Sequence, residues 1–280
     1  MGWQGWSLLV AIVALVQPWV LALWRRFFRR GDVRVYETRF GNIEVGYTAN
    51  GATLGLLFTA RAVHREQFIR DISVTVIKER DKSHHHFEWR FFRALTLSLY
   101  QPYQETMELP ASFLLSPAQP RTLRIVFGDV DLEPEIRVIA ERVRALWEEY
   151  RPSIEADELD EQGRPFLVPL PPDDSAFLAR ATASLEQMTK TASYREVLME
   201  LDRRCYWEPG RYTMMVKVAT TEPKTTHTTS FGFTLTERDS QNLRSNGGMI
   251  VRYMVGLPLP GPYLLAFPPY KSDDIEAASR

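Results

Sequence analysis

Residues 7–24 read SLLVAIVALVQPWVLALW, eighteen positions without a charge. At ~1.5 Å per residue a helix of that length reaches about 27 Å, close to the hydrocarbon thickness of a bilayer. Trp3 and Trp6 stand before the run and Trp24 closes it, and indole rings favour the headgroup boundary. The run is therefore expected to be a transmembrane helix, with the lipid bilayer as its partner. Pro18, after Gln17, removes one backbone hydrogen bond and is expected to kink it, which membrane helices tolerate. A cleaved signal peptide fits less well, because nothing basic precedes the run and it ends in Leu-Trp-Arg-Arg rather than in small residues. A buried helix of a soluble domain fits less well with the tryptophan flanks and the arginines that follow.

Those arginines, Arg25, Arg26, Arg29 and Arg30, set the expected direction. Basic residues stay on the cytoplasmic side of a short-flanked span, so the N-terminus is expected outside and residues 31–280 in the cytoplasm. Phe27 and Phe28 sit among them and complete a short amphipathic collar suited to anionic headgroups. Four of the chain's 34 Lys and Arg lie in residues 1–30, which hold none of its 35 Asp and Glu. The remaining chain thus carries 30 basic and 35 acidic side chains, a net of −5. A mildly acidic body is a poor partner for nucleic acid, which needs concentrated basic surface. The division expected is an anchor and collar at 1–30, then one folded body at 31–280.

That body reads as mainly β with a helical insertion at about 130–203. Alternating or β-rich runs occur at 33–39, 43–48, 52–63, 68–78, 87–93 and 122–127, punctuated by Gly41-Asn42 and Asn50-Gly51. The alternation falters near Arg70-Asp71, as a bulge would make it. Pro134 then opens a helix, followed by Ile136, Ile139, Ala140, Val143, Leu146, Trp147 and Tyr150 at helical spacing. An acidic stretch and the proline-rich PFLVPLPP intervene. Asp174 or Ser175 is placed to cap a second helix bearing Phe177, Leu178, Ala181, Leu185 and Met188. Ser193 with Glu196 has capping-box spacing for a continuation, 194–203. Strands resume from Tyr212 and again over 228–236. The segment 249–270, rich in proline and aromatics, is expected to run extended across the sheet.

Residues 207–236 carry a Pro-Gly pair, then a strand led by Tyr212, then TTSFGFTLT. This resembles the closing strands of immunoglobulin-like β-sandwich domains, in which a tyrosine pins a corner of the sandwich. The resemblance covers about thirty residues and lacks the paired cysteines, since Cys205 is the chain's one cysteine. It implies an immunoglobulin-like sandwich interrupted by helices, and no activity.

Candidate chemistry is sparse. His84, His85 and His86 are consecutive, so on a strand His84 and His86 share a face and His85 takes the other. A metal would need further ligands, and His64, Glu88 and His227 are the candidates by type. A polar hairpin tip, with Asp81-Lys82-Ser83 as the turn, is the simpler reading. Asp129, Asp131 and Glu133 alternate as calcium ligands can, yet an acidic approach to a helix opened by Pro134 explains them better. Cys205 reads as a buried, inert thiol. No nucleophile-elbow or phosphate-loop motif occurs in the sequence, so neither a cofactor nor a catalytic residue is assigned. The reading expected is a membrane-tethered, non-catalytic binding or scaffolding module for another protein. Two other classes stay open: a tethered hydrolase-like enzyme with a dispersed site, and a membrane-perturbing effector acting through self-association of the anchor.

Overall fold

The computed structural model describes residues 17–20, 31–38, 42–96, 104–151, 175–221 and 224–272. Among these residues eleven strands form a single antiparallel sheet: β1 Asp32–Glu37, β2 Glu44–Thr48, β3 Gly51–Val63, β4 Gln67–Lys78, β5 His84–Thr96, β6 Gln104–Glu108, β7 Phe113–Leu115, β8 Arg121–Asp129, β9 Gly210–Thr220, β10 Thr226–Leu235 and β11 Tyr270–Ser272. The order is β1-β3-β8-β5-β4-β9-β10-β11, with β2, β6 and β7 added beside β3, β5 and β4. The first half of β3 pairs with β2 and the second half with β1.

The sheet nearly closes on itself. The C-terminal segment meets β2 through bridges Asn42–Pro269 and Val45–Ala266, while its continuation β11 pairs with β10. At the opposite end, His227 Nδ1 of β10 lies 2.8 Å from Asp32 Oδ1 of β1. Alternation then decides what fills the interior. Tyr212, Met214, Val216 and Val218 of β9 point inward, as do Leu54, Leu56 and Phe58 of β3 and Leu123, Ile125 and Phe127 of β8, all buried.

This arrangement corrects the expected immunoglobulin-like sandwich. One sheet curls around the core, where a sandwich would pack two. The reason is connectivity: β4 pairs with both β5 and β9, and β3 with β8, so the early and late strands are hydrogen-bonded into one circuit. The local corner is nevertheless present. The Tyr212 hydroxyl donates to the Glu208 carbonyl at 2.7 Å and accepts from the Glu208 N–H at 3.0 Å. The motif fixes a turn, and many sheet geometries can use one.

Helices cap one end of the barrel: α1 Glu133–Glu148, α2 Ser175–Thr189, α3 Ala192–Arg204, α4 Glu237–Arg244 and α5 Gly247–Met254. The first three fall between β8 and β9. Pro134 lies in the first turn of α1, and Ile136, Ile139, Ala140, Val143 and Trp147 are buried along it. Ala181, Leu185 and Met188 form the buried face of α2. The cap of α3 is Thr191, whose Oγ1 accepts from the Tyr194 N–H at 3.1 Å, in place of the expected Ser193. Helix α5 replaces the start of the extended tail expected over 249–270. The register between β4 and β9 shifts between Ile69 and Asp71, where alternation falters in the sequence.

Among the described residues no helix is long and apolar enough to cross a membrane. Of the span read at 7–24, residues 17–20 are described; they are helical, include Pro18, and leave Trp19 76% exposed. The rest of that reading, with Trp3, Trp6, Trp24, Arg25, Arg26, Phe27, Phe28, Arg29 and Arg30, lies outside the described residues.

Candidate functional site

Neither metal reading brings its ligands together. Along β4 the turn before β5 and the turn after β3 are eleven residues apart, about 35 Å at strand rise. His84–His86 lie at the helix-capped end, and His64 and His227 at the other, by the pairing of β4 with β5 and of β10 with β9. The triplet alternates as expected. His84 and His86 are exposed on the outer face, and His85 turns inward. The turn is held by Ser83 N–H donating to Asp81 Oδ1 at 2.9 Å. Asp129 serves the approach to α1, its Oδ1 accepting the N–H groups of Asp131 and Leu132 at 2.9 and 3.0 Å. Glu133 pairs instead with Arg90 and Arg137.

Asp129 also organises a buried polar cluster. The Tyr206 hydroxyl donates to its Oδ2, and the His85 ring stacks on Tyr206 with centroids 3.6 Å apart. Burial, with the Asp129 charge next, pushes the Tyr206 phenol far up. Desolvation lowers the His85 pKa although Asp129 favours its charged form. The carboxylate is 3.9 Å away, and its attraction does not offset the lost hydration, so the neutral imidazole is favoured.

A neutral imidazole in the fold implies a direction for stability. The unfolded chain takes up a proton that the folded chain resists, so the His85 contribution is present above the unfolded value near 6.5 and is lost as pH falls below it. Acidification from above pH 7 to about pH 5 is expected to lower the melting temperature, and His85→Gln is expected to flatten that slope. Equal slopes in the two proteins would refute this role for His85.

The cysteine is equally enclosed. Cys205 is 1% exposed, and burial raises its thiol to about 11, which keeps it protonated and unreactive.

An open groove lies on the outer face of the sheet, about 640 Å³ in volume. Its floor is formed by β2, β3, β8 and β5, and its far wall by α5 and the segment that follows. Two glycines shape the floor. A Cβ on Gly128 would stand 2.9 Å from Arg90 Nε, and one on Gly55 would stand 2.9 Å from Glu44 Cβ. Their absence lets both long side chains lie flat across the sheet. A bulge in β5 shifts the register between Trp89 and Phe91. Strict alternation from the inward Trp89 would send Phe91 inside; the bulge sets it opposite Val126, and Arg90, Phe91 and Arg93 all line the groove.

Charge on the floor is paired. Both Glu44 carboxylate oxygens accept from Arg93 Nη1, at 2.8 and 2.6 Å, and Arg124 approaches at 3.4 Å. Arg90 donates to Glu133. The wall is apolar and aromatic: Tyr253, Leu259, Pro262, Tyr263 and Leu265. It is held in place by Asn246, buried at 0% exposure. Asn246 Nδ2 donates to the carbonyls of Tyr47 and Leu264, at 3.1 and 2.8 Å, and its Oδ1 accepts the Leu264 N–H at 2.9 Å.

From the sequence, Phe91 reads as core packing in preference to groove lining, and Glu133 as part of the acidic approach to α1. The groove's residues come from four strands, two helices, a turn and a loop, and the bulge that aims Phe91 leaves no mark in a single sequence. Comparison with known protein families, curated proteins and solved structures finds no match for this chain.

Proposed function

We propose that the chain is a membrane-tethered, non-catalytic binding module that takes an extended segment of another protein into the groove. The observation that carries this reading is the composition of the groove. One wall offers aromatic and aliphatic side chains, the floor offers two Arg–carboxylate pairs, and none of the lining residues is a histidine, cysteine or serine. A peptide presents apolar side chains and amide or carboxylate groups together, and such a surface complements both. The remaining histidines and Cys205 sit apart from the groove, which supports binding over hydrolysis. The tether is the run at 7–24, and the arginines after it support a cytoplasmic body.

A photo-crosslinking residue placed at Tyr253 in the full-length protein tests this in cells. A discrete adduct with one protein is expected from position 253 and not from Glu141, an exposed site on α1. Equal labelling from both positions, or only small-molecule adducts at 253, would overturn the reading.

A further inference from the structure

The described body begins at Gly31, which is buried against Gln67 and Arg65 where β1 starts. A span ending at Trp24 leaves seven residues to that point, and seven residues reach at most about 25 Å in any conformation. The end of the barrel that carries Gly31 is therefore the end nearest the bilayer.

That end has an unusual surface. Phe68 and Leu114 face each other across the β4–β7 ladder and are 44% and 52% exposed. Single exposed apolar side chains are ordinary, but an aligned pair at a sheet end is a patch. Arginines gather at the same end, Arg34 and Arg61 on the outer face and Arg121 at the rim, over the Phe113 ring at 5.1 Å. Arg34 of β1 is the register partner of Arg61 of β3, and Arg121 of β8 pairs with the adjacent Ala60. All three are exposed. Like charges directly opposed on neighbouring strands destabilise a sheet. Asp32 relieves Arg34 only at 3.6 Å, and Arg61 donates to the Pro117 carbonyl, an uncharged partner. Exposed Arg65, Arg70 and Lys224 add to the same end, against Glu66 and Asp71.

We propose that this end of the barrel docks on the membrane surface, with Phe68 and Leu114 entering the headgroup layer and Arg34, Arg61 and Arg121 meeting anionic lipid. Apolar side chains flanked by cations suit an anionic interface. The docking rests on the tether reading given under Proposed function. It fixes the orientation of the barrel, with the helices pointing away from the bilayer and the groove on its flank.

The test uses the full chain in phosphatidylcholine vesicles with and without phosphatidylserine. Spin labels go singly on V20C, L114C and V138C, the native thiol being buried, and depth is read from oxygen against aqueous nickel accessibility. With phosphatidylserine, position 20 is expected in the hydrocarbon, 114 at headgroup depth and 138, on α1, in water. Without it, or with Arg34, Arg61 and Arg121 changed to Gln, 114 is expected to move into water. Position 20 deep with 114 in water on the anionic vesicles overturns the docking and leaves the tether standing. Position 20 in water overturns the tether and the docking together. F68C repeats the measurement should L114C fail to fold.

Discussion

Trp207→Ala is expected to be the most damaging single truncation in the body. The indole is fully buried, and its Nε1 donates to the Gly46 carbonyl at 3.1 Å. Its ring packs against Phe87, Tyr206 and Tyr212, with centroids 6.0, 4.9 and 5.6 Å away. It therefore joins the segment between α3 and β9 to strand β2 and to the first inward side chain of β9. Removing a buried tryptophan costs about 3–5 kcal/mol, and the orphaned Gly46 carbonyl adds to the loss. For a body of this size that is a fall in melting temperature on the order of 10 °C. Trp207→Phe keeps most of the packing and loses the hydrogen bond, so a smaller loss is expected. Urea titration of both variants checks the ranking, and a loss below about 1 kcal/mol for Trp207→Ala would show that the core re-forms around the gap.

Asn246→Ala is expected to cost about 2–4 kcal/mol, because three backbone groups, the Tyr47 carbonyl buried and the two of Leu264 partly buried, lose their partner at once. Its effect differs in kind from that of Trp207. Asn246 sits just before α5, yet its side chain makes no cap hydrogen bond there; it ties the barrel strand β2 to the segment that walls the groove. The substitution is therefore expected to release residues 257–265 while the sheet stays paired. Faster amide exchange at Leu264, with protection retained at Val216 in the middle of β9, would show it. Crosslinking from position 253 is expected to fall with the same substitution. A variant that unfolds as a single unit, with no separate release of Leu264, would show instead that the wall belongs to the core.

The two substitutions bear on the sequence in different ways. Trp207 lies in the stretch with a legible turn and Tyr-led strand, and the corner it precedes forms as that pattern implies. Asn246 carries no sequence signal at all. A buried asparagine is recognised by what surrounds it, and its partners Tyr47 and Leu264 lie 199 and 18 residues away along the chain. The same distinction separates β4, whose bulge near Asp71 breaks a visible period, from β5, whose bulge at Arg90 falls in a run of aromatic and basic residues with no period to break. Strands β6 and β7 carry no sequence signal because five and three residues are too short to establish alternation.

By itself the sequence determined the elements: long β runs, helices between them, the turn at Asp81–Ser83 and the alternation of the histidine triplet. These follow from side-chain period, proline position and capping chemistry, all of which act within a few residues. It also set the division between an uncharged N-terminal run and a mildly acidic body. Tertiary structure alone decided that the strands close into one sheet rather than two, that the C-terminal segment completes the circuit beside β2, and that Glu44, Arg90, Phe91 and Tyr253 share a groove. Those outcomes depend on which strands pair across a hundred residues or more. Pairing is settled by the fit of whole faces, and no local pattern encodes it.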